Sequence, residues 1–456
     1  MAGEIFYPNI TGAFDWGTLL DGIMQIESLR LQRLEQQKEV IDQKLKYLTD
    51  LKTKLEDIYN FTAGIDKTEW FNKKTVENSN PDVVDISLIN NDIPEYYAQG
   101  TVNKVAQIEI SYFSRTFSSL DEQFNPDDPD KTYTLTLRYN TVDGQTIEKD
   151  FTFKGSDTLQ NLIDQINNDP DISKYLYAYT MYTGDGYRFA LMEKDVSASS
   201  DESTPGTYNS GDLEEVLGDY IIMQGAQNSE IQIGDETFEN PGYEFTDVLP
   251  GLKLRVKQPG DFTVTIKRDY EGIAQVFVDL VNKVNDVIKT INELTQITKD
   301  GDNVIGPKVD DYELKELKIR LQRLFDPLLE NPETAKYNII DFNENDGTVQ
   351  VDQSALVQFL QENPQEDWDV LYQVVENAKN LSEIATQKAY VAPLIESYEQ
   401  MERRLEERIM DYTEYLQEKQ EYLKTRFGSI ESYIAGLQDI QAKINSILTT
   451  QMFLSK

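Results

Sequence analysis

Leu34–Ile58 reads LEQQKEVIDQKLKYLTDLKTKLEDI, and its spacing decides the architecture of the chain. Leu34, Ile41, Leu48 and Leu55 recur every seven residues, with Leu51 and Ile58 three further on. Gln36, Gln37, Lys38, Glu39, Asp42, Lys44, Lys46, Lys52 and Lys54 fill the positions between. This is one apolar stripe on a charged rod, the mark of a coiled-coil seam. A stripe of that kind needs a second helix to cover it.

The other end of the chain supplies a match. Leu405, Ile409, Tyr412, Leu416, Leu423, Phe427, Ile430, Ile434, Leu437, Ile444 and Leu448 follow steps of three and four, with Lys419 and Gln441 as polar gaps. Pro393 stands where a helix can begin, because its missing N–H has no partner there in any case. A helix over about Leu394–Ser455 spans roughly 90 Å. We expect Leu34, Ile41, Leu48 and Leu55 to pack against Leu416, Leu423, Ile430 and Leu437 in an intramolecular stalk that joins the two chain ends.

Between the ends the pattern changes. From about Val76 to Arg268, Thr, Tyr, Val and Ile alternate with polar residues. Thr132–Tyr139 (TYTLTLRY) and Ile147–Phe153 (IEKDFTF) alternate with period two across Asp143-Gly144, which predicts a hairpin. Further strands are predicted at Tyr187–Met192, Ser229–Ile233, Leu252–Val256 and Phe262–Ile266. One helix is predicted over Thr158–Asn167, N-capped by Asp157. Asp195–Asp212 (DVSASSDESTPGTYNSGD) reads as a loop. Helical spacing returns over Ile273–Leu294, then over Glu313–Leu324 and Ser354–Gln361. A turn at Asp346-Gly347 joins Ile339-Ile340 to Val349–Val351.

The expected fold class is therefore α+β: long terminal coiled-coil helices and a helical domain forming a stalk or leg, with inserted antiparallel β-rich head domains. At roughly 150 residues per unit, 456 residues suggest about three folding units. The out-and-back pattern nests them. Residues 1–60 with 394–456 make the terminal leg, and 61–75 with 270–393 a helical domain. Residues 76–97 with 177–269 make one β-rich head domain, and 98–176 an inserted second one with the short helix.

Composition narrows the chemistry. There is no Cys and no His, and the formal net charge is −38. No thiolate, disulfide, imidazole base or Cys/His zinc site is available. Nucleic acid and anionic lipid are held by clustered Lys and Arg, yet Asp195–Pro250 contains neither and carries Asp201, Glu202, Asp212, Glu214, Glu215 and Asp219. Neither nucleic-acid binding nor membrane insertion is expected, and no apolar run approaches the ~18–20 residues of a membrane span. Met1–Ile10 carries Glu4 and lacks a basic region and an apolar core, so it does not read as a cleavable secretory signal.

Particular clusters yield little. Asp127, Asp128 and Asp130 crowd FNPDDPDK, where two prolines favour a solvated turn over a calcium site. In Asp341–Gly347 (DFNENDG) the glycine falls seventh where a calcium loop needs it sixth, and the twelfth residue is Asp352, not Glu. Thr204-Pro205-Gly206-Thr207 and the other glycines form no phosphate-binding loop. Trp16, Trp70 and Trp368 are expected as packing anchors. No catalytic, cofactor or metal site is assigned, and the chain is not expected to be an enzyme.

Several segments, in order, resemble the flagellar filament cap family (hook-associated protein 2). Gly12-Ala13-Phe14-Asp15, then Leu19–Met24 and Glu27, are similar to the family's opening segment, with Phe14 where the family usually has Leu. Ala98–Gln107 (AQGTVNKVAQ) resembles its first strand, with Thr101 in place of the customary Tyr. Thr158–Asn167 (TLQNLIDQIN) is similar to the helix after the hairpin. The most specific stretch runs from Ser229 to Ile266, through Gly234, Asn240, Phe245, Asp247, Val248, Leu249, Gly251, Leu252, Leu254 and the closing TVTI. Asp346-Gly347-Thr348-Val349 and the terminal helix complete the series.

The resemblance implies a structural cap at the distal end of a bacterial flagellum. It implies export by the flagellar type III apparatus without a cleavable signal, with an export chaperone, and assembly into a homo-oligomer ring. Flagellin and the hook–filament junction proteins would be its partners. The β domains would form the plate and the helical ends the legs. On that reading, the eight stalk residues serve the chain's own fold first and filament contact second. A surface adhesin carrying β domains on a coiled-coil stalk is the alternative, although an adhesin alone would more usually show a signal or an anchor. A carboxylate-based hydrolase is a third reading and would need a deep acidic pocket.

Overall fold

A computed structural model describes residues 11–12, 14–198, 208–209, 211–300 and 303–454. Ala13, the Met1–Ile10 segment, most of the Ser-rich loop with Asp201 and Glu202, and Thr204-Pro205-Gly206-Thr207 lie outside the described residues. The chain divides into two compact units, Met1–Lys67 with Glu271–Lys456, and Thr68–Tyr270. The α+β class holds: helices build the first unit and antiparallel sheets the second.

In the helical unit, the N-terminal helix runs from Trp16 to Ala63. It begins eighteen residues before the first heptad leucine because Asp15 caps it, its Oδ1 accepting from Thr18 N at 3.0 Å and its Oδ2 from the Thr18 hydroxyl at 2.7 Å. The C-terminal helix runs from Val391 to Leu454, and its 64 residues span about 96 Å. It starts ahead of Pro393, which sits in the first turn, where backbone N–H groups have no intrahelical acceptor. The N-terminal helix packs along the C-terminal helix and along a further helix, Asp369–Gln387. That further helix was not among the predicted segments.

The remaining helical segments fall near their predicted positions, at Tyr270–Thr295, Tyr312–Arg323 and Gln353–Glu362. Leu48, Leu51, Leu55, Ile58, Phe277, Val284, Leu317, Phe325, Phe359 and Leu371 are wholly buried. The predicted turn joins strands Ile340–Phe342 and Val349–Val351, with Gly347 at φ 75°. Asn285 clamps this hairpin to its helix: Nδ2 donates to Val349 O and Oδ1 accepts from Val349 N, each at 2.7 Å.

Among the described residues, the β unit holds two apolar cores. One is closed by a five-stranded sheet, ordered Lys74–Asn78, Gly260–Arg268, Tyr96–Lys104, Ser229–Ile233 and Glu236–Asn240, and a three-stranded sheet. Val84, Val102, Ile231, Leu252, Leu254, Phe262 and Val264 fill it. Gly100 sits where a Cβ would lie 2.5 Å from Ile233 Cδ1 and 2.6 Å from Phe262 Cζ, so the sheet cannot accept a side chain there without shifting both.

The second core takes Phe113, Phe117, Phe124, Tyr133, Leu135, Phe153, Phe189 and Leu217. The predicted hairpin is continuous from Thr132↔Lys154 to Asn140↔Thr146. Tyr133, Leu135, Leu137 and Tyr139 point inward, as the alternation requires. The following helix, Leu159–Asn168, is capped by Thr158 and not by the expected Asp157. The reason is a capping box, in which Asn161 Oδ1 accepts from Thr158 N at 3.0 Å and Thr158 Oγ1 accepts from Asn161 N at 3.4 Å. Asp157 instead accepts from Lys154 N at 2.8 Å, closing the preceding turn.

Candidate stalk and filament-contact surface

The two terminal helices run antiparallel, and a series of contacts fixes their register. Trp16 lies against Phe427 with ring centroids 5.1 Å apart. Glu27 meets Lys419 at 3.6 Å. The Arg30 guanidinium sits 5.0 Å from the Tyr412 ring centre, and Lys38 reaches Glu402 at 3.4 Å and Glu406 at 3.2 Å. Lys44 over Tyr398 ends the series near the start of the C-terminal helix.

This register corrects the expected pairing of the two quartets. Leu34 is buried at the level between Tyr412 and Glu406, while Leu416 is buried nearer Glu27. Leu48 and Leu55 lie beyond Lys44, where the N-terminal helix packs along Asp369–Gln387. Ile41 is half-buried and lines an open groove. Leu423 joins a small core with Trp16, Leu20 and Phe427. Ile430 and Leu437 are exposed, at 36% and 48%. The heptads fixed each stripe but not its offset, because the N-terminal helix begins well ahead of Leu34.

A residue that the sequence reading passed over ends the seam. Glu431 is only 2% exposed, although it stands in a highly charged helix. Its Oε1 accepts from Thr11 N at 2.6 Å and from the Thr11 hydroxyl at 2.7 Å, and its Oε2 accepts from the Trp16 indole N–H. The Thr11 backbone N–H, then the Thr11 hydroxyl, hold the Glu431 carboxyl below the usual carboxylate range. The signal was present: Glu431 falls four residues after Phe427 and three before Ile434, which is seam spacing.

Past this point the C-terminal helix continues to Leu454. Tyr433, Leu437, Ile440, Ile444, Ile447 and Leu448 are 48–70% exposed. Leu437, Ile440, Ile444 and Ile447 keep one helical stripe that no other described residue covers.

Elsewhere, Trp70 and Trp368 are buried like Trp16. Asp127, Asp128 and Asp130 lie on an exposed turn. Among the described residues, no three acidic side chains converge as metal ligands, and no helix is long and apolar enough to cross a membrane.

A family model described as the flagellar hook-associated protein 2 N-terminus matches residues 12–108, and one for the C-terminus of the same protein matches residues 226–449. The chain belongs to the flagellar hook-associated protein 2 family. It is 30% identical over 390 residues to the flagellar hook-associated protein 2 of Aquifex aeolicus, an alignment spanning 84% of this chain and 83% of that one. The A-type flagellar hook-associated protein 2 of Pseudomonas aeruginosa is 22% identical over 298 residues, 59% of either chain. In fold, the chain is similar to the D1-D2-D3 domains of the Escherichia coli flagellar cap protein, with TM-score 0.52 and 18% identity over 77% of this chain and 99% of that one. The matches to hook-associated protein 2 take in nearly all of both stalk helices and the core around Val102 and Phe262. Residues 109–225, which hold the second head core, lie between them.

Proposed function

We propose that this protein is the non-enzymatic cap at the distal end of the flagellar filament. It assembles into a ring that retains exported flagellin and promotes its folding and insertion. The sheet-built unit forms the plate, and residues 1–60 with 394–456 form the leg. One observation carries this reading, the stripe Leu437, Ile440, Ile444 and Ile447, which is apolar, helical and open to solvent. A stripe of that spacing takes an amphipathic helix of a partner, and flagellin at the filament end is the partner the family suggests.

The absence of cysteine suits export as an unfolded chain through the type III apparatus, because no disulfide can cross-link it first. An export chaperone and the hook–filament junction proteins complete the proposed partners.

Direct imaging tests the reading. Purified protein added to sheared flagellin filaments should decorate one end of each filament, and I430D/L437D should fail to do so while keeping its circular dichroism. Equal decoration by the variant would remove the leg from the account.

A further inference from the structure

We propose that the stalk carries, at one level and on opposite flanks, the two halves of a contact with a second copy of this chain. One half is a groove of 740 Å³ beside the seam. Val40 and Met401, 52% and 39% exposed, form much of its apolar floor, and Arg33, Arg404 and Arg408 stand around it. None of the residues lining it is acidic, in a chain of net charge −38. Among the described residues, none of the three arginines forms an ion pair; Arg404 Nε donates only to Gln400 O, at 3.2 Å.

The other half lies across the seam. Asp42, Glu402 and Glu406 gather around Lys38 at 3.0, 3.4 and 3.2 Å. Three carboxylates share one ammonium, which leaves two negative charges unbalanced. Met401, Arg404, Leu405 and Arg408 recur on one flank of the C-terminal helix, while Glu402 and Glu406, four apart, occupy the other.

Charge complementarity selects the occupant. Copies of so acidic a chain repel one another unless a basic patch meets an acidic one, and the arginine groove is such a patch. Its complement sits at the same level, between residues 401 and 408, so two parallel stalks can engage without sliding. Because the two halves face opposite ways, the contact is heterologous, the kind that repeats around a closed ring. Guanidiniums can pair bidentately with the carboxylates while the partner helix covers Val40 and Met401. This inference rests on the ring reading above and names one of its surfaces.

Sedimentation velocity on the full chain tests it. R404E/R408E should raise the self-association Kd on the order of tenfold or more, and K38E/E402R/E406R should do the same. All five changes together should restore association. If the wild type assembles and R404E/R408E assembles equally well, this contact is overturned and the ring stands on another surface. Equal assembly with lost flagellin binding would assign the groove to flagellin, which also overturns it. A wild type that stays a single copy throughout overturns the ring and the contact together. Should R404E/R408E lose its circular dichroism, R404Q/R408Q gives the same test, with a smaller rise in Kd expected and no rise counting against the contact.

Discussion

Glu431 holds the indole of Trp16 across more than four hundred residues of sequence, and the same carboxylate takes the backbone N–H and hydroxyl of Thr11. The start of the N-terminal helix is thereby tied to the C-terminal helix beside the small core of Trp16, Leu20, Leu423 and Phe427.

This tie should respond to acid. The Glu431 carboxyl is held below its ordinary range, so its contribution is complete above the unfolded pKa and is lost as pH falls through the lowered folded value. Hydrogen exchange at the Trp16 indole N–H should therefore accelerate below about pH 4.5. In E431Q the exchange should be fast at neutral pH and lack that step. Equal protection in the two proteins would show that the Phe427 contact alone holds Trp16.

The β unit should show the opposite sign. Glu193 is wholly buried, accepts from Glu109 N at 2.7 Å, and is pushed up to about 7, chiefly by burial. Glu109 and Asp195 add like charge. A raised carboxyl pKa gives stability that is complete below the unfolded value near 4.5 and is lost as pH rises through about 7. That loss is roughly 3 kcal/mol. Thermal melts should show the β unit losing midpoint from pH 5 to 8, and E193Q should flatten most of the slope. A parallel slope in E193Q would assign the effect elsewhere.

Two leucines of the predicted stalk should behave differently. Leu48 is wholly buried, and Leu48→Ala should cost about 2–5 kcal/mol in chemical denaturation. Leu437 is 48% exposed, and Leu437→Asp should change stability by no more than about 0.5 kcal/mol while reducing filament-end binding. A large stability loss in L437D would mean that the stripe is already covered by the chain itself.

Gly100 offers a check on the sheet. Gly100→Val drives a side chain into Ile233 and Phe262 and should cost about 2 kcal/mol or more, read as a lower denaturation midpoint of the β unit. No change would show that the sheet relaxes there.

Local pattern reached most of the fold. The hairpin at 132–154 was legible because one face is buried, so the period of two survives in the side chains. The offset between the terminal helices was not legible, because a heptad stripe records that it has a partner and not where that partner begins. Ile430 and Leu423 read alike in sequence, yet only Leu423 joins the small core with Trp16, Leu20 and Phe427, while Ile430 is 36% exposed. Asp369–Gln387 escaped notice because Ala378, Ser382 and Ala385 form much of its buried face, and small residues blur an apolar period. Glu193 continues the inward alternation of Phe189 and Leu191, which alone marked it as a buried acid.

The most direct test of the cap reading is the fate of flagellin when the gene for this chain is deleted. The account predicts unpolymerised flagellin in the medium and hooks without filaments, with both restored by the intact gene and not by one encoding I430D/L437D. Filaments of normal length and number in the deletion strain would contradict it.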